Sequence, residues 1–477
     1  MLSVTNMSSL AASWVPATVI SDNIPVWNDG DSSFSSMTIG DDGTIHVVWH
    51  DDTDILGTDI EIFYKKYTES TGWSAFEIIS DDITRWNDAT SYLPKIAVGS
   101  NGQVHVVWTD YTNGLWGTDI EIIYTKYTPG VGWSIPIVIS DGYGGTYWNN
   151  DTSQSPDIAL DGAGNVHVVW DDFTNGWWGV DQEIMYAKYT VGSGWSNATV
   201  ISNGIGGWNN GTSSKASIAI YNDIIHVVWQ DNTMGICGGG GTDPEIMYAC
   251  YTAGSWSNPT VISDSGVWWN DGSSFNPSSA VDKNGGVHVV WEDYTDGWWG
   301  TDTEIMYVNK LAGAGWSAAI IILDNITAWN TGNSQSPDIA VNEETITLVW
   351  FDYTDGPWGT DTEILSTIYS PTDDWSEITV VSDSLLHPWN GGTSTYPNIA
   401  MHSGKAHVVW ADNTIGWWVS DVEVFYSEAT IFSESPTESI PGFDLLLISV
   451  ALAGIVIVFL GFLRQFKKNP FFVLNVK

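Results

Sequence analysis

Short bursts of apolar residues, four to seven long and separated by Gly, Asn, Asp and Trp, organise almost the whole chain. One stretch shows the unit. Pro94–Val98 (PKIAV) is a short apolar run, Asn101-Gly102 marks a tight turn, and Val104–Trp108 (VHVVW) is a second run. A polar loop, Asp110–Thr118, leads to Glu121–Tyr127 (EIIYTKY), which alternates with period two as a half-buried strand does. Gly132-Trp133-Ser134 then opens a fourth run, Ile135–Ser140. The pattern predicts four antiparallel strands and no helix.

The unit recurs seven times, with a spacing of about 60 residues. Its signature is an apolar run ending in Trp, with Asp two residues on. It reads IHVVWHD at Ile45–Asp51, VHVVWTD at Val104–Asp110, VHVVWDD at Val166–Asp172 and IHVVWQD at Ile225–Asp231. VHVVWED at Val287–Asp293, ITLVWFD at Ile346–Asp352 and AHVVWAD at Ala406–Asp412 complete the set. Four short strands per repeat describe a propeller blade, since an immunoglobulin-like array needs about 100 residues per domain. The seventh copy lacks its Gly-Trp-Ser strand, and the missing piece stands at the other end as Ser13-Trp14-Val15 and Ala17–Asp22. The first strand therefore completes the last blade, which removes the sheet edges an open array would expose. The predicted fold is all-β: a closed seven-bladed β-propeller of four-stranded antiparallel blades.

The hairpin Asp161-Gly162-Ala163-Gly164-Asn165 before VHVVW resembles the Asp-box hairpins of the sialidase-like propeller superfamily. The phrase VVWxD followed by TDxEIxY resembles repeats of secreted propellers of that group. The resemblance covers about Trp14–Ala429 and implies fold far more than activity. A sialidase site would also imply an arginine triad. Only Arg85 lies in the repeats, so that activity is not expected.

Composition narrows the partners. With 57 acidic and 14 basic residues the formal net charge is −43, which repels nucleic acid. Of 30 Trp residues, 21 fall in three sets repeated in every copy and read as blade packing. Function is then sought where copies differ. Trp116, Trp177, Trp178, Trp298, Trp299, Trp358, Trp417 and Trp418 lie in the loops between second and third strands, while the first and fourth copies have none there. Trp faces pack on sugar rings and neighbouring acids accept hydroxyl hydrogen bonds, so these eight are the expected ligand-binding residues. The alternative is that they cover the blade tips. The same loops hold clustered carboxylates, and Asp293, Asp296, Asp352 and Asp355 are candidate Ca²⁺ ligands. Six histidines, His46, His105, His167, His226, His288 and His407, sit second in the VVW strand of different copies and are expected to be packed and hydrogen-bonded. No acid–base pair stands out. The expected function is thus a non-catalytic propeller that binds extracellular glycan or a surface protein. Two other readings stay open: a Ca²⁺-stabilised surface-layer component, and a carbohydrate-active enzyme other than a sialidase.

The C-terminus differs in kind. Leu445–Leu463 is uncharged and long enough to span a bilayer, and Arg464, Lys467 and Lys468 follow it. The expectation is a propeller outside the cell membrane and a cytoplasmic tail. Pro441-Gly442-Phe443 ahead of the apolar run resembles the archaeal PGF-type sorting tail, which implies exchange of the helix for a lipid. The organisation expected is an extension (1–13), the propeller (14–430), a polar linker (431–442), a transmembrane helix (443–463) and a basic tail (464–477). Cys237 and Cys250 are the only cysteines, and a bridge between them requires Gly238–Gly241 to fold back.

Overall fold

The computed structural model describes residues 10–433 except 23–29, 54–58, 82–86, 88, 142–148, 177, 204–208, 234–242, 265–271, 298–299, 323–331, 357, 384–390 and 415–420. Seven antiparallel sheets follow one another in the order expected of a seven-bladed β-propeller. In blade 3, the inner strand Ser153–Leu160 pairs with Val166–Asp172, which pairs with Glu183–Thr190. The outer position is taken by two short pieces, Gly194–Trp195 and Thr199–Val200, on either side of a break.

Closure is as the split repeat requires. Blade 7 consists of Ser394–His402, Lys405–Asp412 and Glu423–Ser433, and the N-terminal strands Leu10–Trp14 and Thr18–Val19 both pair with the last of these. Thr18 stands opposite Tyr426 and Val19 opposite Phe425. The indole of Trp14 reaches across to blade 6 and donates to Ser366 Oγ at 3.0 Å.

The core lies between blades. Each apolar cluster takes one face from each of two neighbours, as where Ile20, Val409 and Val424 of blade 7 pack on Met37, Val47 and Trp49 of blade 1. All seven Trp residues of the VVW phrase are fully buried. Their indole N–H groups need an acceptor there, and the Asp two residues on supplies it. In blade 3, Asp172 Oδ2 accepts from Trp170 Nε1 at 3.0 Å, Ser153 Oγ at 2.9 Å and Asn149 Nδ2 at 3.0 Å, while Oδ1 accepts from the Thr174 amide at 2.8 Å. The Trp-to-Asp bond recurs in every blade at 2.8–3.2 Å. The invariant phrase is therefore a clip that ties inner strand, second strand and following loop together.

The six histidines are structural in the same way. Each Nδ1 lies 2.7–2.8 Å from the hydroxyl of a Tyr on the third strand, as in His105–Tyr124 and His167–Tyr186. Blade 6 replaces both partners together, with Thr347 and Ser366. Burial holds His46, His105, His226 and His407 down to about 4, so they pack as neutral rings.

Among the described residues no helix is long and apolar enough to cross a membrane. Leu445–Leu463 and the PGF tail lie outside the described residues, as does Cys237.

Candidate functional site

Residues that differ between blades line the propeller axis. A cavity of about 670 Å³ runs there, walled by the inner strands of all seven blades. Its lining is set by a distortion repeated in each inner strand. The register to the second strand slips, so that two residues oppose one; between Gln154 and Asp157 the extra residue faces Trp170. The first residue of the bulge has positive φ in every blade: Phe34, Leu93, Ser155, Lys215, Asn276, Ser336 and Tyr396, at 47–55°. None is glycine, so each is a costly conformation of about 1–3 kcal/mol, held by its surroundings. The bulge turns two residues per blade toward the axis and leaves two rings of side chains. One ring consists of the bulge residues. The other, two residues further down, is Ser36, Lys95, Asp157, Ser217, Ser278, Asp338 and Asn398.

The bulge amides are satisfied by the preceding blade. The variable residue of its VVWxD phrase accepts the bond: Thr109 from Ser155 N at 3.2 Å, Asp171 from Lys215 N at 2.9 Å, Gln230 from Asn276 N at 3.0 Å and Glu292 from Ser336 N at 2.8 Å. In blades 6 and 7 the corresponding residues, Phe351 and Ala411, have no side-chain acceptor. Aromatic contacts stand there instead. Tyr396 stacks on Phe34 with ring centres 4.3 Å apart, and Phe351 meets the edge of Tyr396 at 5.9 Å.

The wall is thus divided. Blades 6, 7 and 1 present the rings of Phe351, Tyr396 and Phe34. Blades 2 to 6 present Lys95, Asp157, Lys215, Glu292 and Asp338. Asp338 is engaged on both oxygens, by Ser278 Oγ at 2.7 Å and by Asn398 Nδ2 at 2.7 Å with the Ile399 amide at 2.9 Å, and it links three blades. Asp157 accepts from the Ile218 amide at 2.9 Å. Glu292 accepts from Ser336 N at 2.8 Å and Asn276 Nδ2 at 3.0 Å. Burial lifts Glu292 above the usual carboxylate range. Burial also lifts Asp157, where the charge of Lys95 works against the lift. Behind them Asp171, only 1% exposed, is pushed by desolvation up to about 7 and braces Lys215 from its backbone.

The loop tryptophans occupy other positions. Trp116, Trp178 and Trp358 are half-buried on blades 2, 3 and 6, and each indole donates to the carbonyl of a Thr four residues earlier in its own loop, at 3.0–3.3 Å. Each ring lies over the first glycine of a Gly-to-Gly bridge. A Cβ on Gly114 would stand 2.4 Å from Trp116, so only glycine fits. Trp177, Trp298, Trp299, Trp417 and Trp418 lie outside the described residues. Of the Ca²⁺ candidates, Asp293 and Asp352 are buried clips of the kind described for Asp172, while Asp296 and Asp355 are exposed. Among the described residues no group of three His, Cys, Asp or Glu side chains is placed to hold a metal ion.

The axial residues were not among those the sequence pointed to. The signal that finds them is variation within otherwise faithful repeats: the x of VVWxD differs in every copy, and the third and fifth positions of the inner strand vary among the copies, with Ser and Asp recurring.

No protein-family model and no curated protein matches the chain. Solved structures do. A polysaccharide lyase described as a PL25 ulvan lyase bound to a GlcA(1-4)Rha3S unit superposes with a TM-score of 0.54 at 10% identity, over 84% of this chain and 94% of the other. The polysaccharide lyase Uly1 gives 0.51 at 11% identity, over 90% and 98%. A leech intramolecular trans-sialidase gives 0.42 at 11%, over 86% and 70%. The likeness establishes the propeller fold. It also corrects the expectation of a non-catalytic binder of glycan or surface protein. The neighbours above 0.5 cleave polysaccharides on this fold. The missing arginine triad argues against one reaction, that of sialidases, and not against catalysis as such.

Proposed function

We propose that the chain is a carbohydrate-active enzyme that cleaves a glycosidic bond in the axial cavity. The observation that carries this reading is the divided wall. A sugar ring stacks on Tyr396 and Phe34, while acid–base groups face it from the opposite arc. Glycosidic cleavage needs a proton donor for the leaving oxygen and a basic carboxylate. Glu292 suits the first role, because burial favours its neutral form. Asp157 is assigned the second: burial lifts both carboxyls, and of these two it is Asp157 that has a lysine charge, that of Lys95, opposing the lift. Asp338, held on both oxygens, is a positioning residue that fixes blades 5, 6 and 7 around the cavity. The polysaccharide-cleaving activity of fold neighbours supports the reading.

The test is a screen of polysaccharides for new reducing ends and for the ultraviolet absorbance of unsaturated products, which separates hydrolysis from elimination. Glu292→Gln and Asp157→Asn are expected to lower kcat by at least about 100-fold while the fold persists, the scale usual for removal of an acid–base group. Unchanged rates in both variants would refute the assignment. The same reading places the enzyme at the cell surface, anchored through the uncharged run Leu445–Leu463 or a lipid in its place. Release of the protein from membranes by detergent, but not by salt, tests that placement.

A further inference from the structure

The lysines of the propeller show what the cavity is built to receive. The repeats are strongly acidic, and almost every described lysine in them has a partner. Lys188 meets Asp161 at 3.4 Å, Lys283 meets Glu343 at 2.8 Å and Lys405 meets Glu428 at 3.1 Å. Lys66, Lys126 and Lys310 lie 5.5, 5.6 and 4.9 Å from the ring centres of Tyr127, Tyr189 and Tyr248. Lys65 is buried and donates to the Ile20 carbonyl at 2.6 Å. Two lysines are left, Lys95 and Lys215. Among the described residues neither forms an ion pair or sits on a ring, and Lys215 has only a 3.5 Å contact to Ser155 Oγ. Both line the axial cavity, and both sit at positions that are neutral or acidic in the other blades.

Chance does not favour that arrangement. A chain with 57 carboxylates offers an exposed lysine an anion almost anywhere. The carboxylates nearest these two are already committed: Asp338 to Ser278, Asn398 and the Ile399 amide, Asp157 to the Ile218 amide, and Asp171 to the Lys215 amide. Lys95 acts through its charge on Asp157 and Asp338, and Lys215 on Asp171, but among the described residues none of the three carboxylates forms an ion pair with either ammonium group, so the lysine N–H donors remain for a guest. The acids elsewhere on the propeller are screened over about 8 Å at physiological ionic strength, so they do not cancel the two charges inside the cavity.

We propose that the sugar taken by the axial cavity carries an anionic group, a carboxylate or a sulfate ester, gripped by Lys95 and Lys215. This deepens the reading of the cavity as a carbohydrate-cleaving site and rests on it. The substrate is then an acidic polysaccharide, with its ring on Tyr396 and Phe34 and its charge across the cavity.

Calorimetric binding to the full chain carrying Glu292→Gln, which leaves the lysines in place, tests the proposal. Polygalacturonate has carboxylates only, dextran sulfate sulfates only, and dextran neither. Binding of polygalacturonate or dextran sulfate, and not of dextran, is expected, and which of the two binds names the anion. Adding Lys95→Met or Lys215→Met should weaken that binding about tenfold each, with Lys95→Arg largely restoring it and the melting temperature unchanged. Dextran bound as tightly as the charged polymers would overturn the proposal, as would charged-polymer binding indifferent to both lysines. Failure of the enzymatic reading looks different: lysine-dependent binding of an acidic polymer that the wild-type protein does not cleave. Cleavage of neutral polysaccharides alone would leave the enzyme standing and remove the anion.

Discussion

The clip formed by each VVWxD phrase makes a quantitative prediction about stability. Asp172 is 1% exposed and accepts four hydrogen bonds, from Trp170, Ser153, Asn149 and the Thr174 amide. Asp172→Ala leaves those donors facing one another in a space water does not easily reach. A buried donor without a partner costs about 1–3 kcal/mol. Four do not add in full, because side chains such as Ser153 can turn to other acceptors, so about 3–5 kcal/mol is expected. The folded unit spans Leu10–Phe432. At about 2 cal/mol/K per residue its unfolding entropy is roughly 0.9 kcal/mol/K, so this loss lowers the melting temperature by about 3–6 °C if the ring unfolds as one. Asp172→Asn keeps one acceptor oxygen and should cost about half as much. Asp296→Ala, at an exposed carboxylate in the blade 5 loop, should be silent within about 0.5 kcal/mol. Differential scanning calorimetry of the three variants decides the matter. A melting temperature for Asp172→Ala within 1 °C of wild type, or a larger effect from Asp296→Ala, would refute the reasoning.

Other outcomes follow from the same structure. Desolvation raises Glu61 and Glu183 to about 8, and Glu121, Glu363 and Glu423 to about 9. A raised acid binds its proton more tightly folded than unfolded, so its contribution falls as pH rises from the unfolded value toward the folded one. The histidines held at about 4 are neutral in the folded state by pH 7, and their remaining protonation in the unfolded chain, about a quarter per ring at an ordinary value of 6.5, is outweighed by the five glutamates. The melting temperature should therefore fall between pH 7 and 8, and a rise over that interval would show these glutamates ionised in the folded state. Tyr186→Phe removes the partner of His167 Nδ1 and should cost about 1 kcal/mol in thermal melts without altering any catalytic rate. Tyr396→Ala removes the stacking face and should raise KM for the substrate several-fold, more than Tyr111→Ala, an exposed ring outside the axial lining.

Much of the fold could be read from the sequence, and the reason is repetition. Seven copies of one phrase average away the ambiguity of any single short apolar run, and the strand missing from the last copy reappears as Ser13–Asp22. The same repetition exposed the histidines as packing, since six rings in six blades cannot share one site. The site was harder to see. In the loops, Trp116, Trp178 and Trp358 vary between copies, and each ring lies over a glycine of its own loop. The cavity residues sit inside strands that look regular in sequence. A bulge inverts the in–out alternation at Ser155 and its counterparts, so a period-two reading sends those side chains the wrong way. No single residue type marks the bulge. A Pro follows it in blades 2, 3, 5, 6 and 7, but Ser35 and Ala216 serve in blades 1 and 4. Only the pattern of variation, compared position by position across the seven inner strands, separates Lys95, Asp157 and Lys215 from the faithful scaffold around them.

The central claim is that the axial cavity cleaves a polysaccharide through Glu292 and Asp157, and turnover tests it most directly. Purified full-length protein should release new chain ends from at least one polysaccharide, and Glu292→Gln should abolish that release while melting with the wild type. Cleavage that survives Glu292→Gln and Asp157→Asn together, or no cleavage of any acidic or neutral polysaccharide by the folded wild-type protein, would contradict it.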